Sequence, residues 1–132
     1  MTAGEFIFTT LSTNEDVSDI LGSGDLCRVY PLLNNESYEL PYVTYQNIYT
    51  SANATKSGVS TLDEKIYQIN IVATTPFECV ELTEKIRTAL DYSSGENIQQ
   101  CFFEDERDTW VNDNSEDGSC MVQQDYRFLI NR

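Results

Sequence analysis

The chain has 132 residues, 40% of them hydrophobic and 11% aromatic, which is enough for a single domain with its own core over residues 1–132. Its 22 acidic residues outnumber 8 basic ones, and a formal net charge of -14 disfavours binding to nucleic acid or to an anionic membrane. Because the sequence contains no histidine, catalytic triads of the Ser-His-Asp or Cys-His kind are excluded.

Nothing at the start of the chain resembles a targeting segment. The first six residues lack the basic and apolar regions of a secretion signal. No stretch approaches the ~18 consecutive apolar residues that a membrane-spanning helix needs. We therefore expect a cytoplasmic protein.

The amino-terminal segment predicts two short helical elements. Residues 5–11 are apolar enough for a helix that packs on the domain. Asn14 is a suitable N-cap for a second helix over residues 15–21, which has acidic residues in its first turn. Gly22 and Gly24 end it, because glycine adopts the left-handed conformation common at helix C-termini.

Three strands are predicted next. The first covers residues 27–30, and the second, residues 42–50, is rich in aromatic and β-branched side chains. Residues 51–60 are small and polar, as is typical of a hairpin tip or a flexible loop. Residues 65–73 alternate in polarity, which places four side chains on one face of the third strand: Tyr67, Ile69, Ile71 and Ala73.

The clearest helix pattern follows the third strand. Thr75 is a suitable N-cap, Pro76 fits the first helical position, and Glu78 can complete a capping box. The helix is predicted to cover about residues 76–91, with Gly95 just past its end. Its apolar positions form one stripe that we expect to pack on the sheet: Phe77, Val80, Leu82, Thr83, Ile86, Ala89 and Leu90.

Two more strands complete the predicted fold. Residues 98–104 form the first and run into a charged stretch that ends at Trp110 and Val111. Residues 121–130 alternate, and four of them should face the core: Val122, Tyr126, Phe128 and Ile130. This order predicts an α+β fold with an antiparallel or mixed β-sheet of four to five strands. The sheet packs against one main helix (about 76–91) and a short N-terminal helical segment.

We predict no catalytic, cofactor-binding or metal-binding residues. The four cysteines form no CxxC or CxxH pair, which indicates buried thiols instead of a zinc site. Neither a Gly-rich phosphate loop nor a dinucleotide-binding fingerprint is present. The segment from Asp113 to Gly118 matches the opening of a calcium-binding loop, but the twelfth position is Gln124 where the motif requires glutamate. A hairpin turn and a weak cation site both remain open there.

Two segments are candidates for protein interfaces. The charged run from Glu104 to Asp108 precedes the single tryptophan, and a charged rim beside an aromatic anchor is typical of an interface. A solvated strand end is the simpler alternative. The loop of residues 51–60 is either an exposed tip or a segment that orders against a neighbouring subunit. The candidate interface residues are Ser51, Asn53, Thr55, Ser57, Gly58, Arg107 and Trp110.

Five segments of the chain are distinctive in their order and spacing. They are Arg28-Val29-Tyr30-Pro31, residues 40–46 (Leu-Pro-Tyr-Val-Thr-Tyr-Gln), residues 67–73 followed by a helix over 81–90, Arg107-Asp108, and residues 124–128 (Gln-Asp-Tyr-Arg-Phe). Together, from about Phe6 to Ile130, they resemble the tail completion (head–tail joining) proteins of long-tailed bacteriophages and prophages. The chain departs from the family in its polar residues 34–39, its acidic residues 113–117 and its strong overall acidity.

The resemblance implies a homo-oligomer, expected as a ring of six at the end of the tail tube. The ring would stop tube growth and contact tail tube and head-connector proteins, while DNA passes through its bore without specific binding. It implies assembly in the host bacterial cytoplasm, a place at the head–tail junction of the virion, and no catalytic residue, cofactor or membrane. Two alternatives remain open: a stand-alone acidic interaction or regulatory module that mimics nucleic acid, and an enzyme that uses paired acids and a divalent metal.

Overall fold

The computed structural model describes residues 2–22, 24–31, 41–52, 62–111 and 119–131. The elements in chain order are α1 (Ala3–Thr13), α2 (Glu15–Leu21), a 3-10 turn (Gly24–Leu26), β1 (Val29–Pro31), β2 (Tyr42–Ala52), β3 (Leu62–Ala73), α3 (Pro76–Leu90), β4 (Ile98–Val111) and β5 (Ser119–Asn131). Among these residues, no helix is both long and apolar enough to cross a membrane.

The five strands form one mixed sheet in the order β1-β2-β3-β5-β4. β1 runs parallel to β2, and the other neighbours are antiparallel. Irregular register interrupts β2 once, between Asn47 and Tyr49, and β4 twice, between Ile98 and Gln100 and between Phe103 and Asp105. The predicted α+β class with a four- to five-stranded sheet is confirmed.

Side-chain caps fix the helix ends at the predicted residues. The Asn14 side chain accepts a hydrogen bond from the backbone N–H of Val17, and Thr75 accepts one from Glu78. Pro76 occupies the start of α3. Gly22 ends α2 with a φ of 97°, and a Cβ there would lie 2.7 Å from the carbonyl oxygen of Leu26, so only glycine fits.

The helices pack on one face of the sheet. The core residues predicted from β3 and β5 are all buried: Tyr67, Ile69, Ile71, Ala73, Val122, Tyr126, Phe128 and Ile130. The Phe128 ring meets Phe6 of α1 and Tyr67 edge-on, with centroid distances of 6.2 and 5.6 Å. A Cβ on Gly4 would lie 2.8 Å from the Tyr45 ring, so α1 approaches β2 closely.

The predicted apolar stripe of α3 is wrong at its first turn. Phe77 is 79% exposed and Val80 is 51% exposed, whereas Cys79 is buried in their place. The rest of the stripe is at least partly buried, with Leu82, Thr83, Ile86 and Leu90 in the core. α3 therefore carries two exposed apolar side chains near its start.

Candidate functional site

The face of the sheet opposite the helices carries a ladder of polar side chains. Asn70 Nδ2 donates to Thr44 Oγ1 at 3.2 Å, and Asn70 Oδ1 accepts from Gln123 Nε2 at 3.1 Å. Gln46 and Gln68 pair at 3.0 Å one step further along β2 and β3. These bonds join three neighbouring strands and hold the face in one arrangement.

Two arginines extend the ladder across β5 and β4. Arg107 Nη1 contacts Asp105 at 3.0 Å and Asp125 at 3.3 Å, and the hydrogen bond and charge of Asp125 raise the pKa of Arg107 above its ordinary value. Arg127 Nε lies 2.9 Å from a carboxylate oxygen of Glu104. The acidic run of β4 is therefore part of an ordered ion-pair network that occupies both arginines.

The other face of β4 forms a groove with α3. Val80, Thr83, Glu84 and Arg87 line it from the helix. Glu106 and Asp108 line it from β4, and its floor is Val122 of β5. The groove has a volume of about 180 Å³. Arg87 is the only cation among the described residues that line it, and the Arg87 guanidinium stacks 3.8 Å from the centre of the Phe103 ring.

A buried polar chain orients one carboxylate of this groove. Tyr126 Oη donates to Gln124 Oε1 at 2.8 Å, and Gln124 Nε2 donates to Glu106 Oε1 at 3.0 Å. Tyr126 and Gln124 have no exposed surface, and burial raises the pKa of the Tyr126 hydroxyl, so it remains a donor. These two hydrogen bonds therefore fix the orientation of the Glu106 carboxylate from the core side.

The four cysteines are free thiols. Cys27, Cys79 and Cys101 are buried as predicted, while Cys120 is partly exposed. Burial raises the pKa of Cys79 and of Cys101 to about 12, so both stay protonated at neutral pH. Among the described residues, no group of three or more potential ligands is placed to hold a metal ion.

The three candidate interface residues that the structure describes lie apart from one another. Ser51 is exposed and pairs with Glu64 near one end of β2. Arg107 and Trp110 pair with Gln123 and Cys120 toward the other end of the sheet. Asn53, Thr55, Ser57, Gly58 and the segment from Asp113 to Gly118, for which a hairpin turn or a cation site was predicted, lie outside the described residues.

The groove is not predicted by the sequence pattern of β4. The register shift between Phe103 and Asp105 moves Glu106 and Asp108 onto the helix-covered face, opposite Gln124 and Val122. A strict alternation of residues cannot place them there. The one available sign was a glutamine, Gln124, at a position that continues the buried row of β5.

Comparisons with known proteins agree with this architecture. The family model described as tail completion protein gp17 matches residues 5–130. A chain from the structure titled "Virion of native gene transfer agent (GTA) particle" superposes with a TM-score of 0.77 at 10% sequence identity. That match covers 98% of this chain and 95% of the other, and at such low identity it shows a shared fold. The search of curated proteins gave no match.

Proposed function

Because the chain belongs to the tail completion protein gp17 family, we propose that it caps the tail tube of a phage-like particle and joins the tail to the head as an oligomeric ring. The observation that carries the proposal is the family match, which spans residues 5–130. The protein acts through its outer surfaces and performs no chemistry. It assembles in the host bacterial cytoplasm and remains at the head–tail junction of the virion.

The charge of the chain supports a bore that conducts DNA. A net charge of -14 gives the ring a field that repels phosphates, so the genome passes without being held. Arg107 and Arg127 are already engaged by carboxylates of the same sheet and are poorly placed to hold a phosphate.

The positions of the candidate interface residues support a closed ring. Each subunit of a ring uses two different surfaces, one for each neighbour. Ser51 lies near one end of the sheet, and Arg107 and Trp110 lie toward the other. We propose that the segment from Ser51 to Ser60 and the face of β4 that carries Arg107, which is turned away from the groove, are these two surfaces.

Native mass spectrometry of the purified chain tests the ring. We expect one closed oligomer, with six copies from the family resemblance, and loss of that oligomer when residues 53–60 are replaced by a short Gly-Ser linker. Asp19→Asn, an exposed substitution on α2, is the matched control and should assemble normally. A strict monomer at high protein concentration would contradict the ring, and intact rings after the loop replacement would contradict this choice of interface.

A further inference from the structure

β4 forms one edge of the sheet, and its first half is covered by the chain itself. The amide of Cys101 donates to Ser93 O at 3.0 Å, and the amide of Phe103 donates to Asp91 Oδ1 at 3.0 Å. The turn that follows α3 thus satisfies the outward backbone groups of this half.

In the part of the chain that the structure describes, no strand pairs with the outer side of the second half of β4. The amide of Glu106 donates to the side chain of the preceding residue, with Asp105 Oδ1 at 2.8 Å. Alternate residues of a strand direct their N–H and C=O groups to the same side. The backbone groups of Asp108 and Trp110 therefore also point away from β5, where the described part of the sheet has no further strand. An open edge of this kind can pair with an added strand.

The groove beside this edge carries more negative than positive charge. Glu84, Glu106 and Asp108 line it, and no described cation forms an ion pair with them. The one lining cation, Arg87, instead stacks on Phe103 and lies 3.9 Å from Asp91. A positively charged side chain from another molecule could therefore form ion pairs with the carboxylates of the groove.

The helix wall of the groove is partly apolar and contains a buried hydroxyl. Val80 is 51% exposed, and Phe77, one turn earlier, is 79% exposed. Thr83 is only 6% exposed, and its Oγ1 has no partner in the described residues apart from the adjacent Cys79 thiol, which is a weak one. An arginine fits this wall, because its apolar stem can cover Val80 while its guanidinium reaches the carboxylates.

A second copy of the chain is a poor occupant. Acidic residues outnumber basic ones 22 to 8. Arg28, Arg107 and Arg127 are held by hydrogen bonds or ion pairs within the described residues. The open half of β4 begins within the acidic run from Glu104 to Asp108. Two copies of this strand placed side by side would therefore repel each other. Charge complementarity selects a different protein with a basic segment.

We propose that the open half of β4 and the adjoining groove bind an extended, arginine-containing segment of another protein, which adds a sixth strand to the sheet. Backbone bonds to the Asp108 and Trp110 positions provide the pairing, and arginines at alternate positions enter the groove beside Glu106 and Asp108. The proposal deepens the proposed function, since a neighbouring tail or head protein would supply the segment.

A short end-blocked peptide that alternates threonine and arginine is the probe. Its affinity for the full chain is measured by fluorescence anisotropy, and its position by changes in the amide resonances of Asp108 and Trp110. A fully N-methylated peptide of the same sequence has the same charge but no backbone donors, and it should bind at least roughly tenfold more weakly. Equal binding of the two peptides would overturn strand addition.

Matched variants distinguish peptide binding in the groove from a general attraction of the peptide to the acidic chain. Glu106→Gln with Asp108→Asn should weaken peptide binding by roughly tenfold or more. Glu15→Gln with Asp19→Asn removes the same charge from α2 and should change it little. Val80→Ser should also weaken binding, whereas Ile48→Ser, at another exposed apolar residue, should not. Thermal unfolding of each variant confirms that it is folded.

A divalent cation or a second copy of the chain in the groove would give different results in these experiments. Equal losses in the two charge variants, or displacement of the peptide by an equimolar divalent cation, would overturn the proposal. So would self-association that is lost only in the Glu106/Asp108 variant, because a second copy would then be the occupant. Ring formation is followed separately by native mass spectrometry, so failure of the groove and failure of the ring are distinguishable.

Discussion

At the scale of single residues, Arg28 connects three elements. Its Nε donates to Pro41 O at 2.8 Å and its Nη2 donates to Ile20 O at 2.8 Å. Ile20 lies in the last turn of α2, where backbone carbonyls have no partner within the helix. The Arg28 side chain therefore binds the carboxyl end of α2 and the residue that precedes β2, and it holds the two elements together.

Arg28→Ala should lower the free energy of unfolding by about 2–4 kcal/mol, because two charge-assisted hydrogen bonds are lost and two carbonyls are left without a donor. Urea denaturation measures the change. Lys85→Ala is the control, since Lys85 forms a partly exposed pair with Glu81 within one helix and such pairs contribute at most about 0.5 kcal/mol. A loss in Arg28→Ala no larger than in the control would mean that the junction does not depend on this side chain.

At the scale of elements, α3 changes its environment along its length. Leu82, Ile86 and Leu90 are buried on the sheet, while Phe77 and Val80 in the first turns are exposed. The helix begins at Pro76, after its N-cap Thr75, and its groove-lining residues extend from Val80 to Arg87. The same helix thus stabilises the core and presents an apolar surface.

Leu82→Ala should destabilise the fold by about 2–5 kcal/mol, since it leaves a cavity in the core. Val80→Ala should change the stability by less than about 1 kcal/mol, because Val80 already contacts water. Both free energies of unfolding come from urea denaturation. A cost for Val80→Ala as large as that for Leu82→Ala would show that the helix is rotated toward the face predicted from its sequence.

The parts of the fold that depend on local chemistry could be predicted from sequence, and those that depend on tertiary contacts could not. The caps Asn14 and Thr75 act within a few residues, so their sequence pattern was sufficient. β3 and β5 alternate without interruption, and their core faces were predicted correctly. In β4, by contrast, each of two register shifts changes which residues face the helices. The groove depends on these shifts and on where α3 crosses the sheet, which no local pattern encodes.

At the scale of the whole molecule, charge sets the conditions for assembly. The net charge of -14 makes every copy repel the next, so the proposed ring must be held by apolar contacts and ordered loops. The described arginines compensate little of this repulsion, because Arg107 and Arg127 neutralise carboxylates of their own sheet.

Salt should therefore favour the ring. Raising the salt concentration from about 0.1 M to about 1 M shortens the Debye length from about 10 Å to about 3 Å, which screens repulsion between copies. At constant protein concentration, analytical ultracentrifugation should show a larger assembled fraction in the higher salt. Sodium and potassium chloride serve as mutual controls, since screening does not distinguish the two cations. The arginine-containing peptide should respond in the opposite direction, because the same screening weakens its attraction to Glu106 and Asp108. Dissociation of the ring by salt would show instead that ion pairs between subunits hold it together.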